Sequence, residues 1–447
     1  MISAFWGLAG ASTEWTGHLV LPCGQDPYGS DIIASHARYV KADLVITLMD
    51  VWPLNADQVR EIRTVHGIPV AHWMPVDCDP LSAMDERHLK HTGAIPVAMS
   101  RFGQRMLAEA GLDALYVPHG IEATRVFTPA GRDEARKALG VEDRFVVGMN
   151  AANKDAIRKG FPEQMLAFAE FRRNHPEALL MMHSLAAAPG ALDLQTVAGR
   201  AGYPLARSIE KALEAQMEQA EFDRAQAEVM AAKMGIMADV RFCDQYAYLT
   251  GLLQPQAMAA WMSAADLGTN CAYGEGFGLA TVEFQATGTP VVVTDATAMP
   301  ELAGPGWRVK GEPFWNSAHA AFWDRPSIAG IAAAYEDAYL HAAERREASR
   351  EFALQYDADR VLTEHWAPAL EQIMERANAG MSPGVLPAPG TGRLASAEER
   401  DATVDAIAGL YNDEVIGADV FAERASRALS ARTPADLAGL TDLPAAA

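Results

Sequence analysis

Short apolar runs alternate with helical segments along most of this chain, and that alternation restricts the fold more than any other feature. The runs LVITLM (44–49), IPVAHW (68–73), IPVAMS (95–100) and ALYVPH (114–119) read as buried strands. FVVGMN (145–150), ALLMMHS (178–184) and PVVVTD (290–295) continue the series. Helical patterns fill the intervals at 30–40, 55–66, 100–111 and 162–174. Near-continuous apolar strands separated by helices predict parallel sheets covered on both faces. The series restarts after the polar segment GRDEARKALGVEDR (131–144), which predicts two α/β domains, 1–143 and 144–378.

Residues 204–234 are rich in Ala, Glu, Gln and Met and predict a helical insertion in the second domain. Met230, Met234 and Met237 fall on one stripe of it, expected to pack onto its own domain. The Pro- and Gly-rich stretch 379–393 reads as a linker. Beyond it, 394–447 is predicted to be a small all-α module. Ser396 and Glu399 stand at capping-box spacing, and Thr433 precedes Pro434 at a further helix start.

Charge narrows the function. Against 37 Lys and Arg stand 58 Asp and Glu, a net −21, which argues against nucleic acid and anionic membranes as partners. No apolar run approaches the roughly 18 residues of a membrane span, and no signal peptide is recognisable. Cys23, Cys78, Cys243 and Cys271 are scattered without metal-type spacing, so they read as reduced thiols of a cytoplasmic protein with no metal site.

The stretch YGEGFGLATVEFQATGTPVVVTD (273–295) carries the clearest chemistry. Apolar residues at 279, 282 and 286 have helical spacing, so the glycines occupy a loop that feeds a helix N-terminus. Unpaired N–H groups there favour an anion or a hydroxylated ligand. Glu275 stands in the loop and Glu283 about one turn inside the helix, acceptors suited to a polyhydroxy ligand that carries phosphate. Carboxylates alone would repel phosphate, so a cation is expected nearby. AANKDAIRKGF, after the strand 145–150, supplies Lys154, Arg158 and Lys159. Arg158 and Lys159 suit a diphosphate as fork and point charge.

EGFGLATVE resembles the paired-glutamate motif of retaining glycosyltransferase family 4, and RKG resembles its phosphate-binding element. MSRFGQRMLAEAG…YVPHGIEATRVFTP is similar to the family's passage between domains, and YDADRVLTEHWAPAL to its closing helix. The resemblance covers about residues 1–376 and is nearest to versions from actinobacteria and their phages. It implies the GT-B fold, two Rossmann-like domains facing a cleft, with no cofactor and no metal required. The donor implied is a nucleoside diphosphate sugar, a UDP- or GDP-sugar. Carried onto this chain, Arg158 and Lys159 neutralise the diphosphate and Glu283 accepts from the ribose hydroxyls. Glu275, with the backbone of Gly276, Phe277 and Gly278 leading into Leu279, holds the sugar.

On the acceptor side, Asp50, His72 and Asp77 are polar candidates near strand ends, and Trp52 or Trp73 is placed to stack on a sugar ring. The resemblance implies that His72 assists at the reaction centre. The family's opening strand, Gly-rich turn and helix are not recognisable before ISAFWGL. The first strand is therefore expected at ISAF (2–5) and the first helix near 30–40. The tail is similar to a short actinobacterial domain of unknown function, which implies a protein contact rather than catalysis.

The leading expectation is a retaining hexosyltransferase acting on a hydroxyl of a glycan, lipid or protein. A non-catalytic sugar-nucleotide or glycan-binding protein, or an epimerase of the same fold, remains the alternative.

Overall fold

The structure is a computed structural model that describes residues 11–26, 28–153, 158–186, 227–380 and 397–412, with short stretches between 415 and 441. Met1–Asn378 form one compact unit and Ala379–Ala447 a second.

Thr13–Trp15 (β1) and His18–Val20 (β2) make an antiparallel hairpin, turned at Thr16 and Gly17, both with positive φ as a two-residue hairpin turn of type I′ requires. The first helix among the described residues is Ile33–Tyr39; the ISAF segment lies outside them. Val45–Leu48 (β3), Val70–Met74 (β4), Ile95–Ala98 (β5) and Leu115–Tyr116 (β6) follow as a parallel sheet in chain order. Asn55, Ser82 and Ser100 each accept backbone N–H groups at the starts of the intervening helices, satisfying donors those helices leave open.

The second sheet comprises Phe145–Asn150 (β7), Ala178–His183 (β8), Val240–Phe242 (β9), Leu267–Asn270 (β10), Val291–Thr294 (β11) and Trp307–Val309 (β12). Its order is β12-β11-β10-β7-β8-β9 and every pairing is parallel. Winding reverses between β7 and β10, the position where open α/β sheets bind ligands at the strands' carboxyl ends. All seven strands expected from the apolar runs form. The three additional strands of the parallel sheets (β9, β10, β12) are short or polar, so no apolar run marks them. Of the 204–234 insertion, residues 227–234 are described, with Ala227–Lys233 as a helix. Met230 and Met234 pack against the second core, while Met237 is exposed.

Gly311–Asn316 (β13) and Ala321–Pro326 (β14) form an antiparallel hairpin. It reaches the first half through paired bonds, Asp79 N–H to Phe322 O (3.0 Å) and Phe322 N–H to Asp79 O (2.8 Å). The chain then crosses back. Ile121 bonds to Tyr356 and Ala358, Asp357 accepts from Thr124, and Val361, Ala369 and Ile373 share a core with Ala71, Val97 and Val117 of the first half.

In the second unit, helix Ala397–Asn412 contributes Ile407 to a small core with Ile416, Ala428 and Leu440. Tyr411 stacks on Phe421 at 5.0 Å. Ser396 and Thr433 lie outside the described residues. Because this unit has its own core, removing residues 379–447 is expected to leave the main calorimetric unfolding transition in place. Loss of that transition in the shortened chain would contradict the division.

Candidate functional site

The carboxyl ends of both sheets open onto one cavity of about 620 Å³. Asp50 and Trp52 enter after β3, and Pro75 and Asp77 after β4. Asn150 ends β7, Asn270 ends β10, and Arg158, Lys159 and the run Glu275–Ala280 complete the opposing wall. His319 and Trp323 reach in from the β13–β14 hairpin.

The glycines of the 273–278 loop are required by the approach of the two halves. A Cβ on Gly274 would fall 2.2 Å from the Asp77 carbonyl oxygen, and one on Gly276 would fall 2.2 Å from Pro75 Cβ. Gly278 adopts φ +100° to start helix Leu279–Ala286, a conformation that side chains strain to reach. Asn270 donates to Thr281 Oγ1 (2.9 Å), which ties that helix start to β10.

Between these glycines Glu275 is buried, 7% exposed. Its carboxylate accepts from Lys159 Nζ and, at 3.3 Å, from Arg158. Burial alone would raise its pKa, but Lys159 and Arg158 outweigh burial and hold the carboxyl below its ordinary value. Thr297 Oγ1 accepts the Glu275 N–H at 3.1 Å and so fixes the backbone. Gln164 sets the cations from behind. It donates to Lys159 O (2.8 Å) and accepts from Thr269 (2.7 Å) and the Cys271 N–H (3.1 Å). Arg158 also lies 3.7 Å from Asp77 across the cleft. Alongside, Glu301 accepts the Arg101 N–H at 2.9 and 3.1 Å, at the start of helix Arg101–Glu109 of the first half.

The structure thus brings together Asp50, Trp52, Asp77, Arg158, Lys159, Glu275, Gly276, Phe277, Gly278 and Leu279. Glu283 does not line the cavity. It stands one turn beyond Leu279 and Ala280, partly buried, with its carboxyl pushed up to about 7 by burial. Lys154 lies outside the described residues.

Two expectations require correction. His72 is inside β4, which runs to Met74, so its side chain enters the layer beneath the sheet and not the cleft. It is fully buried between Thr47 (2.7 Å) and His88 (3.2 Å), and burial, then His88, drive its pKa to about 3. Trp73 is likewise in the strand. Its indole donates to Val117 O (2.9 Å) and its ring meets His119 and Trp366 instead of a ligand. Folding also brings Asp77, Cys78 and His319 within 4.8 Å of one another, a grouping that the spacing of the cysteines does not signal. Sequence reasoning missed Asn150, Asn270, His319 and Trp323. Asn150, the polar end of the apolar strand β7, carried a signal; Asn270, at the end of the polar β10, and the hairpin residues carried none.

Residues 219–321 match the family model described as "Glycosyl transferases group 1". In structure, the chain is similar to the sucrose-phosphate synthase of Thermosynechococcus elongatus (TM-score 0.58, 15% identity, 83% of this chain and 86% of that one). It is also similar to Anabaena Alr3699/HepE, solved in complex with UDP (TM-score 0.52, 16% identity, 79% and 86% covered). The fold is GT-B. In sequence, the chain is similar to the lipopolysaccharide core biosynthesis mannosyltransferase LpsB of Rhizobium meliloti (strain 1021), 27% identical over 261 residues. That match takes in 55% of this chain and 62% of that relative's length. No helix among the described residues is long and apolar enough to cross a membrane.

Glu283 makes the electrostatics of this GT-B cleft testable. Its carboxyl ionises near 7 in the folded chain against an ordinary 4.5. Between those values the native state keeps a proton that the unfolded chain has released. Its stabilising contribution is complete below pH 4.5 and fades as pH rises to 7. Glu283→Gln is therefore expected to raise stability at pH 8 by about 1–3 kcal/mol and to change little at pH 5. Denaturant titrations giving equal effects at both pH values would reject this origin.

Proposed function

We propose that this chain is a retaining, cytoplasmic glycosyltransferase that moves a hexose from a nucleoside diphosphate sugar to a hydroxyl acceptor. The observation that carries the reading is the Arg158–Lys159 pair clasping Glu275 beside the β7/β10 switch point, opposite Asp77. Two adjacent cations fit a diphosphate, and Glu275 fits the hydroxyls of the attached sugar. The Glu275 carboxylate pairs with both cations. An arriving diphosphate would replace it there and leave Glu275 to turn to the sugar. Glu283, one turn along the same helix, is the residue proposed for the ribose; its high pKa keeps a hydrogen-bonding carboxyl in a desolvated place. Asp50, Trp52 and Asp77 are proposed to line the acceptor side.

The transfer itself is proposed to occur on one face of the sugar. The bond from the anomeric carbon to the leaving diphosphate oxygen breaks as the acceptor oxygen bonds to that carbon. The acceptor proton passes to the departing phosphate. Arg158 and Lys159 stabilise the charge that grows on it, in a site already organised for that charge. Support for a nucleotide-sugar donor comes from the similar Anabaena protein, solved with UDP-glucose, and from the mannosyltransferase of Rhizobium meliloti. The C-terminal unit is proposed to make a protein contact.

Calorimetric titration with UDP and GDP tests the donor site. Arg158→Ala is expected to weaken binding by about 1.5–3 kcal/mol, the scale of one charge-assisted hydrogen bond. Glu275→Ala is expected to abolish most transfer, yet to leave affinity for the bare nucleoside diphosphate unchanged or higher, because a competitor for the cations is gone. Equal losses for nucleotide and sugar nucleotide in Glu275→Ala would contradict this division. Slow release of free sugar from the donor marks a transferase. An isomerised donor, or none consumed, would replace it with the epimerase or binding reading.

A further inference from the structure

We propose that Asp77, Cys78 and His319 form a site for a divalent cation of the zinc class, which clips the β13–β14 hairpin to the first half of the cleft. One carboxylate oxygen, the thiol sulfur and one imidazole nitrogen lie within 4.8 Å of one another, so a single ion can touch all three. The donor set is sulfur, nitrogen and oxygen. A thiolate with an imidazole selects zinc-like ions over magnesium or calcium, which take oxygen ligands.

Independent observations point to a ligand at this place. His319 Nδ1 is shielded from water and, among the described residues, has no hydrogen-bond partner. Asp85, from the first turn of helix Ala83–Thr92, is 8% exposed, and its Oδ1 is likewise buried without a partner. Asp85 lies close enough to Asp77 and Cys78 to interact electrostatically with both. Native proteins rarely leave such atoms unsatisfied, and the orphaned nitrogen belongs to a residue of the cluster itself.

Charge balance points the same way. Asp50 and Asp77 stand on the same cavity wall, and Arg158, 3.7 Å from Asp77, is shared with Glu275 at 3.3 Å. The site is also preorganised. The reciprocal Asp79–Phe322 backbone bonds hold the segment bearing Asp77 and Cys78 against the hairpin bearing His319. Cys78 is 2% exposed and packs with Tyr273 and Trp323, a dry surrounding that strengthens a thiolate–cation bond. Binding would send the Cys78 proton to solvent, so uptake of the ion should release a proton. The inference does not depend on the transfer reaction.

Full-length protein stripped with a chelator and reloaded with Zn²⁺ or Co²⁺ tests it. The expected result is one ion retained per chain after desalting, with a thiolate-to-cobalt charge-transfer band in the near ultraviolet. Cys78→Ser should abolish the band. His319→Gln, a change on the hairpin that spares the buried cores, should weaken Zn²⁺ binding roughly 100-fold, and Asp85→Asn about 10-fold. No stoichiometric ion, or equal affinity in wild type and His319→Gln, would overturn the proposal even if Cys78→Ser failed to fold. Nucleotide titration of the same samples separates the two readings, since ion binding without nucleotide binding upholds this one alone.

Discussion

The cleft depends on a backbone contact that leaves no space for side chains. Gly274 and Gly276 press against the Asp77 carbonyl and the Pro75 ring, and any Cβ there would have to push the two halves apart. The residue between them, Glu275, is thereby carried into the interface and away from water. A carboxylate so placed needs compensating charge, which Lys159 and Arg158 supply. The same contact brings Arg158 within reach of Asp77 across the cleft.

Desolvation then sorts the ionisable groups. Burial drives His72 to about 3, and His88 and His119 to about 4, which keeps these imidazoles neutral near physiological pH. Among the described residues that line the cavity, permanent positive charge is confined to Arg158 and Lys159. Burial also raises Asp85, Glu283 and Glu301 to about 7. Glu301 is offset in part by the N–H groups and side chain at the start of helix Arg101–Glu109, so this acid joins the halves while avoiding a full ionic cost. In a chain of net charge −21, Arg158 and Lys159 set a concentrated pair of cations against Asp50, Asp77 and Glu275 in the same cavity.

Strand-bearing segments were legible because apolar runs leave a local mark, and β3 to β8 and β11 all carry it, although β3, at the sheet edge, leaves Ile46 and Leu48 exposed. LGTN at β10 does not, since its polar members are satisfied by contacts formed only on folding, such as Thr269 with Gln164 and Asn270 with Thr281. The EGFG loop and RKG were legible for a related reason: glycines and paired cations advertise a demand on backbone or charge. His72 misled because an apolar strand end is uncertain by a residue or two, and that margin decides whether a side chain meets ligand or core.

By itself, then, the sequence determined the parallel α/β elements and the glycine and charge pattern around Glu275, all properties of short windows. Only tertiary structure decided which strand ends meet. Asp77 faces Arg158, Cys78 faces His319 and Glu301 caps a helix of the other half through contacts between segments remote in the chain. No local pattern encodes such pairs, because their energies arise from burial and charge that exist only once the two halves have closed on each other.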